Sequence, residues 1–470
     1  MDSFISSLKP QALNLNGYDD CSSILNIPFF FWYDKVVPPD VLKDSFYKTL
    51  EEFPILAGRI KTGNDARSYV KIDKNRLNLP EYTDSPCNVH FQRLKDADFD
   101  ITLLPVDYSS ACKSPAPPGI FGNCLRLAEF HVLRMEENSG MCIFASISHN
   151  VFDGKAYSVF MKRWAEISKS ILEAQNQQDI CDVNVPAKQF QHDRSVLDAD
   201  TPRGSDALEP EICAMFNNPS AFSRWVAWFS PELRGRIFRY MLSSSGIRNY
   251  YAHLSNSAFQ HLTESIQPFV ESDVSHISAN DVISALATVL LAQALHKAGR
   301  LKGEAVVLTN TIADVRPRIK RLSNANYVGN AVLLKVTVSM LDDLLKDRSP
   351  QVLAAVACNI RRSVDSLDER YCEQVGHLVN KNGTAHVSVN MKVTTVNNAF
   401  VMTNHTRFDY YSADFGSGTP ILVRPTFLVF ENDFIIMPSP PGQDGYELAF
   451  TLAPDVARAM MESEYWQLIH

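Results

Sequence analysis

One change of hydrophobic period constrains this chain more than any other feature. From Met141 to His149, "MCIFASISH", side chains alternate: Met141, Ile143, Ala145 and Ile147 share a face with His149, and Cys142, Phe144, Ser146 and Ser148 take the other. From Asp153 the period becomes helical. Ala156, Val159, Phe160, Trp164, Ile167 and Ile171 form one stripe, with Lys155, Lys162, Arg163, Glu166 and Lys169 on the remaining surface. A strand is therefore predicted to run through the short turn "NVFDG" into a long helix, with an imidazole at the junction.

The rest of the chain alternates in the same way between short strand-like runs and helical ones. "ILNIPFFFWYDKV" reads as a buried strand and "DVLKDSFYKTLEEF" as a helix. "SYVKI", "NVHFQRL" near residue 90 and "CLRLAEFHVLRM" read as strands. Periodicity is lost between about 173 and 222, as in a long crossover. Beyond it, "SANDVISALATVLLAQALHKAG" is an apolar helix opened by a Ser278-x-x-Asp281 cap. "EAVVLTNTIADVRPRI", "AVLLKVTVS", "HVSVNMKVTTV", "AFVMTNHTRF" and "ILVRPTFLVFENDFIIMPSP" then read as strands. The class is mixed α and β, with two comparable halves.

An imidazole at the end of an apolar row is partly desolvated and rigidly held, which suits a general base. A lone histidine in such a row is more often a satisfied core residue, so spacing alone does not decide. Asp153 has two readings as well: it orients His149, or it meets a cation elsewhere and favours the helix N-terminus. The second, structural role is the one expected.

Composition narrows the partners. With 470 residues the chain is too long for one ordinary core, and a net charge of -8 gives no overall field to attract nucleic acid or an anionic membrane. A polyanionic ligand must rely on local cations. Nine scattered cysteines, with no C-x-x-C pair, favour reduced thiols and imply no metal site. The first residues lack a basic start followed by an apolar core, and "IPFFFW" is far shorter than the roughly 20 apolar residues a span requires. The expectation is a cytoplasmic protein without membrane insertion.

"HNVFDG" fits the His-x-x-x-Asp-Gly pattern of the BAHD acyl-CoA-dependent acyltransferases, and further segments resemble that family in the same order. "LKDSFYKTLEEFPILAGRI", "ISANDVISALATVL", "DVRPRI" with "YVGN", and "TNHTRFDYYSADFGSG" are similar to its helix with Pro-Leu-Ala-Gly-Arg, its Ser-x-x-Asp helix, its Asp-x-Arg and Tyr-Phe-Gly-Asn pair, and its Asp-Phe-Gly-Trp-Gly segment. Two departures stand out: Ser417 replaces the tryptophan of the last motif, and His405 replaces that of Thr-Ser-Trp. Ser148 replaces the first histidine of peptide-synthetase condensation domains.

The resemblance implies two similar chloramphenicol-acetyltransferase-like domains, 1–195 and 223–470, joined by a crossover over 196–222 and enclosing a tunnel. It implies acyl transfer, most simply acetyl, from acyl-CoA as co-substrate to a hydroxyl of a small, fairly apolar metabolite, in a monomer with no permanently bound cofactor. His149 is then the base and Thr403 the candidate oxyanion donor. Asp153, Gly154, Arg316, Asp414 and Gly416 support the site, with Asp153 paired to Arg316. His405 lines the acceptor pocket. CoA phosphates fall near the helix start at Ser278, Ala279 and Asn280; the run "RPRIKR", with Arg316, Arg318, Lys320 and Arg321, is the competing patch. A carrier-protein thioester as donor, or a silent metabolite-binding member, are the alternatives.

Overall fold

The computed structural model describes residues 1–21, 26–63, 68–105, 126–177, 185–197, 246–322, 326–346, 350–382, 398–426 and 431–469. The run "HVSVNMKVTTV" and the crossover expected over 196–222, apart from its first two residues, lie outside them. In chain order the strands are β1 (Gln11–Asn14), β2 (Asn26–Tyr33), β3 (Arg59–Thr62), β4 (Ser68–Ile72), β5 (Glu81–Pro86), β6 (Ala128–Arg134), β7 (Met141–Ser148), β8 (Arg248–Leu254), β9 (Val306–Asp314), β10 (Val332–Met340), β11 (Ala399–Asn404), β12 (Leu422–Pro425), β13 (Asp433–Pro438) and β14 (Tyr446–Leu452). The helices that matter most to the site are α1 (Pro39–Glu52), α2 (Gly154–Asn176), α3 (Ala279–Lys297), α4 (Pro350–Asp365) and α5 (Pro454–Met461).

Two mixed sheets carry the molecule, one ordered β12-β2-β7-β6-β5 and the other β10-β9-β11-β13-β14-β8; β1, β4 and β3 form a small third sheet. In the first, β2 and β7 are antiparallel, with Phe29 opposite Ala145 and Phe31 opposite Ile143. Because strand side chains alternate, Phe29, Phe31, Tyr33, Ile143, Ala145 and Ile147 all point toward α1 and α2, where they meet Phe46, Phe160 and Trp164. The opposite face buries Phe30, Trp32 and Phe144 against Phe91 and Leu94. Those two belong to a short helix, Phe91–Asp96, where the sequence reading expected a strand. His90 caps that helix by accepting the Gln92 amide at its Nδ1, and three-residue spacing puts Phe91 and Leu94 on one buried face.

The second core surrounds α3. This helix is apolar nearly all round because it is covered by α4, α5 and the inner face of the sheet, including Phe400, Met402, Phe434, Ile436, Leu448 and Phe450. The other face of the same sheet looks toward the first core, to which it contributes Ile435, Met437 and Ala449. The two halves are also stitched by strand exchange. After β11 the chain crosses over, buries Tyr410, Ala413 and Phe415 in the first core, and adds β12 antiparallel to β2 before returning as β13. A single run read as strand, "ILVRPTFLVFENDFIIMPSP", is thus divided between two sheets.

Candidate active site

His149 sits in the turn directly after β7, and Asp153 ends that turn as the N-cap of α2, accepting the Ala156 amide at 2.9 Å. The turn is fastened from the second half of the chain. Arg316, just beyond β9, donates Nη2 to Asp153, 3.0 Å from Oδ1 and 2.8 Å from Oδ2, and also to the Gly329 carbonyl at 2.7 Å. Its Nη1 donates to Asp314 at 3.0 Å. The Ala331 amide donates to Asp153 Oδ2 at 3.0 Å. With its side chain 1 % exposed and all four contacts directed at helix, strand and guanidinium, Asp153 fixes the backbone and makes no hydrogen bond to His149.

The orientation of His149 comes from Asn330. The amide oxygen of Asn330 lies 2.9 Å from His149 Nδ1, and an amide oxygen can only accept. The amide cannot be reversed, because its Nδ2 donates to the His149 carbonyl at 2.7 Å and to Asp19 Oδ1 at 2.8 Å. Nδ1 therefore carries the proton, and the lone pair of the neutral ring is on Nε2. Burial holds the imidazole below its ordinary pKa, against the opposing pull of Asp153, its own carbonyl, Asn330 and Asp19. The residue is nonetheless not wholly buried, and among the described residues no hydrogen bond engages Nε2.

His405 follows β11 and folds back over the start of α2. A Cβ on Gly154 would lie 3.1 Å from His405 Nε2 and 2.7 Å from Phe408 Cε2, so any larger residue there would have to displace these rings. The ring is bracketed by Phe29 and Phe408, with centroids 5.9 and 4.6 Å away, and its Nδ1 is 3.1 Å from the Tyr410 hydroxyl. Burial first, and the nearby His149 second, push its pKa down to about 3, so it is neutral. Thr403 is on the same face of β11, about 7 Å back along the strand. It is partly buried opposite Ile435, and among the described residues no hydrogen bond engages its hydroxyl.

The remaining residues singled out from sequence lie apart. Asp414 ties its own loop, accepting the Gly416 and Gly418 amides at 2.8 and 2.9 Å and Lys169 Nζ at 2.7 Å. Phe415 packs edge-on against Trp164 at 4.9 Å, and its carbonyl accepts from Ser168 Oγ. At a helical rise of about 1.5 Å per residue, Ser168 lies about 21 Å beyond Gly154 along α2, far from the histidine end. Ser417 buries its hydroxyl without a partner among the described residues. At the start of α3, Asp281 accepts Ser278 N at 2.8 Å and is clamped through both oxygens by Arg361 from α4 at 2.9 Å. Asn280 accepts from Asn404 at the end of β11, which sets this helix start beside the Thr403–His405 segment. The cations of "RPRIKR" are engaged: Arg318 on the Asp314 carbonyl, Lys320 on Glu369 and Arg321 on Glu373, besides Arg316 on Asp153.

The sequence reading missed Asn330, and with it Asp19. Asn330 entered the sequence reading only as the last residue of "YVGN", a segment similar to the family's Tyr-Phe-Gly-Asn, with no role assigned to it.

The Transferase family matches residues 6–203 and 244–465. Phenolic glucoside malonyltransferase 1 of Arabidopsis thaliana is 24% identical over 443 residues, covering 90% of this chain and 84% of the relative. Among solved structures, F. graminearum TRI101 in complex with ethyl coenzyme A superposes with a TM-score of 0.71 at 13% identity, covering 98% of both chains. Its complex with coenzyme A and deoxynivalenol gives 0.70 at 13% identity over 97% of this chain and 98% of the other. Vinorine synthase gives 0.63 at 15% identity over 98% of each. The architecture is thus the chloramphenicol-acetyltransferase-like one expected from the motifs, and the chain belongs to the Transferase family, the BAHD acyl-CoA-dependent acyltransferases.

Proposed function

We propose that the chain transfers an acyl group, acetyl in the simplest case, from acyl-CoA to a hydroxyl of a small, fairly apolar metabolite, with His149 as general base. The observation that carries this reading is the Asn330 contact: its amide oxygen accepts from Nδ1–H of the neutral imidazole, which leaves the lone pair on Nε2, without a hydrogen-bond partner among the described residues. Nε2 removes the acceptor's hydroxyl proton as the oxygen attacks the thioester carbonyl. The tetrahedral intermediate collapses with breakage of the C–S bond, and the departing thiolate takes the same proton back from His149. No covalent acyl-enzyme is formed. Base catalysis of this kind contributes roughly 10²- to 10⁴-fold in rate.

Thr403 is the proposed oxyanion donor; its hydroxyl, without a hydrogen-bond partner among the described residues, and its place two residues before His405 support that role. The partly exposed start of α3 at Ser278, Ala279 and Asn280 is the proposed neighbourhood of the CoA phosphates, because helix N-termini offer free amides and a favourable dipole. The engaged cations of "RPRIKR" make that run the weaker choice. His405, Phe408 and Phe29 form the proposed wall toward the acceptor. The coenzyme A and small-molecule complexes of TRI101 agree with a CoA donor and a small acceptor.

The test offers the purified protein acetyl-, malonyl- and benzoyl-CoA with a panel of hydroxyl and amine acceptors, following free thiol and the mass of the acylated product. Equal yields of thiol and ester support the reading. No release from any free CoA thioester, with turnover from a carrier-protein thioester, overturns it.

A further inference from the structure

The tautomer at His149 is secured from a part of the chain that carries none of the family's motifs. Asp19 lies in the short helix Gly17–Cys21 with its side chain fully buried. Its Oδ1 accepts from Asn330 Nδ2 at 2.8 Å and from the Asn330 amide at 3.3 Å, its Oδ2 accepts the Asn16 amide at 3.1 Å, and Arg194 Nε stands 3.6 Å away. Among the described residues the carboxylate meets donors and a cation, which favour its ionised form against the burial that raises its pKa. Arg194, itself 2 % exposed, donates Nη2 to the Val151 carbonyl at 2.8 Å and the Val328 carbonyl at 3.3 Å. One is in the His149 turn and the other is two residues before Asn330. The pair thus grips both sides of the His149–Asn330 contact.

We propose that Asp19 is a positioning residue of the reaction, which acts through the Asn330 amide to hold His149 in its Nδ1-protonated form and faces the imidazolium with a fixed negative charge as the acceptor's proton arrives. The proposal rests on the reading of His149 as base. The Asp19 carboxylate is fixed by the Asn330 and Asn16 donors, with the Arg194 charge 3.6 Å away, and an amide with both hydrogens committed to acceptors does not flip, so the oxygen stays turned toward Nδ1. The charged groups around His149 are Asp153 in its turn, Asp19, Arg194 beside it, Arg316 beyond β9, and the titratable His405 after β11.

The test is Asp19→Asn in histidine-labelled protein, with His149 assigned from a His149→Gln variant and its ring nitrogens followed by NMR across pH. The expected result is a loss of the Nδ1–H preference and titration at lower pH than in the parent, because an attractive charge is gone. With an accepted acyl acceptor, kcat falls roughly ten- to a hundredfold while KM for acyl-CoA is unchanged. A folded Asp19→Asn protein with unaltered tautomer and titration overturns the proposal, since a merely structural role would change only the folded yield. Should that variant not fold, Asn330→Ser keeps the Asp19–Arg194 pair and cuts its link to the ring; it must lose the same tautomer preference, and an unchanged spectrum overturns the proposal equally. If the parent protein releases no thiol from any donor, the functional reading fails and the NMR result still decides this one.

Discussion

Replacing Asp153 by asparagine separates a structural carboxylate from a catalytic one. The side chain is 1 % exposed, and its Oδ1 accepts from Ala156 N and Arg316 Nη2 while its Oδ2 accepts from Ala331 N and the same guanidinium. Asparagine keeps the shape and one acceptor, and as a good N-cap it preserves most of the Ala156 bond. Its NH2, however, must face either the Ala331 amide or the Ala156 amide, donor against donor, with Arg316 beside it. Arg316, 12 % exposed, then loses its buried counter-charge and retains the half-open Asp314, the Gly329 carbonyl and the Tyr327 ring face. Breaking a buried ion pair from one side costs about 3–5 kcal/mol. Against a typical total of about 5–15 kcal/mol, the variant should fold at 25 °C but unfold at a clearly lower urea concentration. Urea midpoints, read beside thiol release at 25 °C, test this, and Arg316→Met should cost a similar amount with the double variant costing less than the sum. An unaltered midpoint with a hundredfold loss of turnover would refute the reasoning and assign Asp153 to the chemistry.

Acid should silence the enzyme through His149: its pKa is lowered by burial, so kcat/KM is expected to hold down to below the ordinary imidazole value near 6.5 and fall only at lower pH, measurable as a pH–rate profile. Acid should also destabilise the fold, because His131 and His192 are held down to about 4 and His405 to about 3 by burial. Neutral when folded and protonated when unfolded, each contributes stability that is complete above about 6.5 and is lost as pH falls toward its folded value, at up to about 1.4 kcal/mol per pH unit. His405→Phe should therefore recover about 2 kcal/mol of the loss between pH 7 and 5 in urea titrations. Gly416 has φ of +109° and a Cβ there would lie 2.8 Å from Leu172 Cδ2, so Gly416→Ala should lower stability by about 1–3 kcal/mol while turnover per folded molecule stays unchanged.

Much of this was legible locally. The switch of period at His149 predicted β7, the turn and α2, and the cap at Ser278 with an unbroken apolar run predicted α3, because these elements are long enough for burial to impose a rhythm. Phe91–Asp96 was not, being under two turns long: its residues form a helix because a histidine cap and two buried side chains favour it. The division of "ILVRPTFLVFENDFIIMPSP" between two sheets is also absent from the pattern, since alternation states which face is buried but not which sheet the strand joins. The site residues differ in the same way. His149 and Asp153 lie on one turn, but Asn330 reaches a ring 181 residues away and a carboxylate 311 residues away. Nothing in the four residues "YVGN" announces a partner at that distance.

The central claim is that one neutral imidazole moves the proton of the reaction. It is met most directly by His149→Ala in the thiol-release assay, on protein whose urea midpoint matches the parent. Loss of turnover by roughly 10²-fold or more, with acyl-CoA still bound, is the predicted result; turnover equal to the parent's would contradict it.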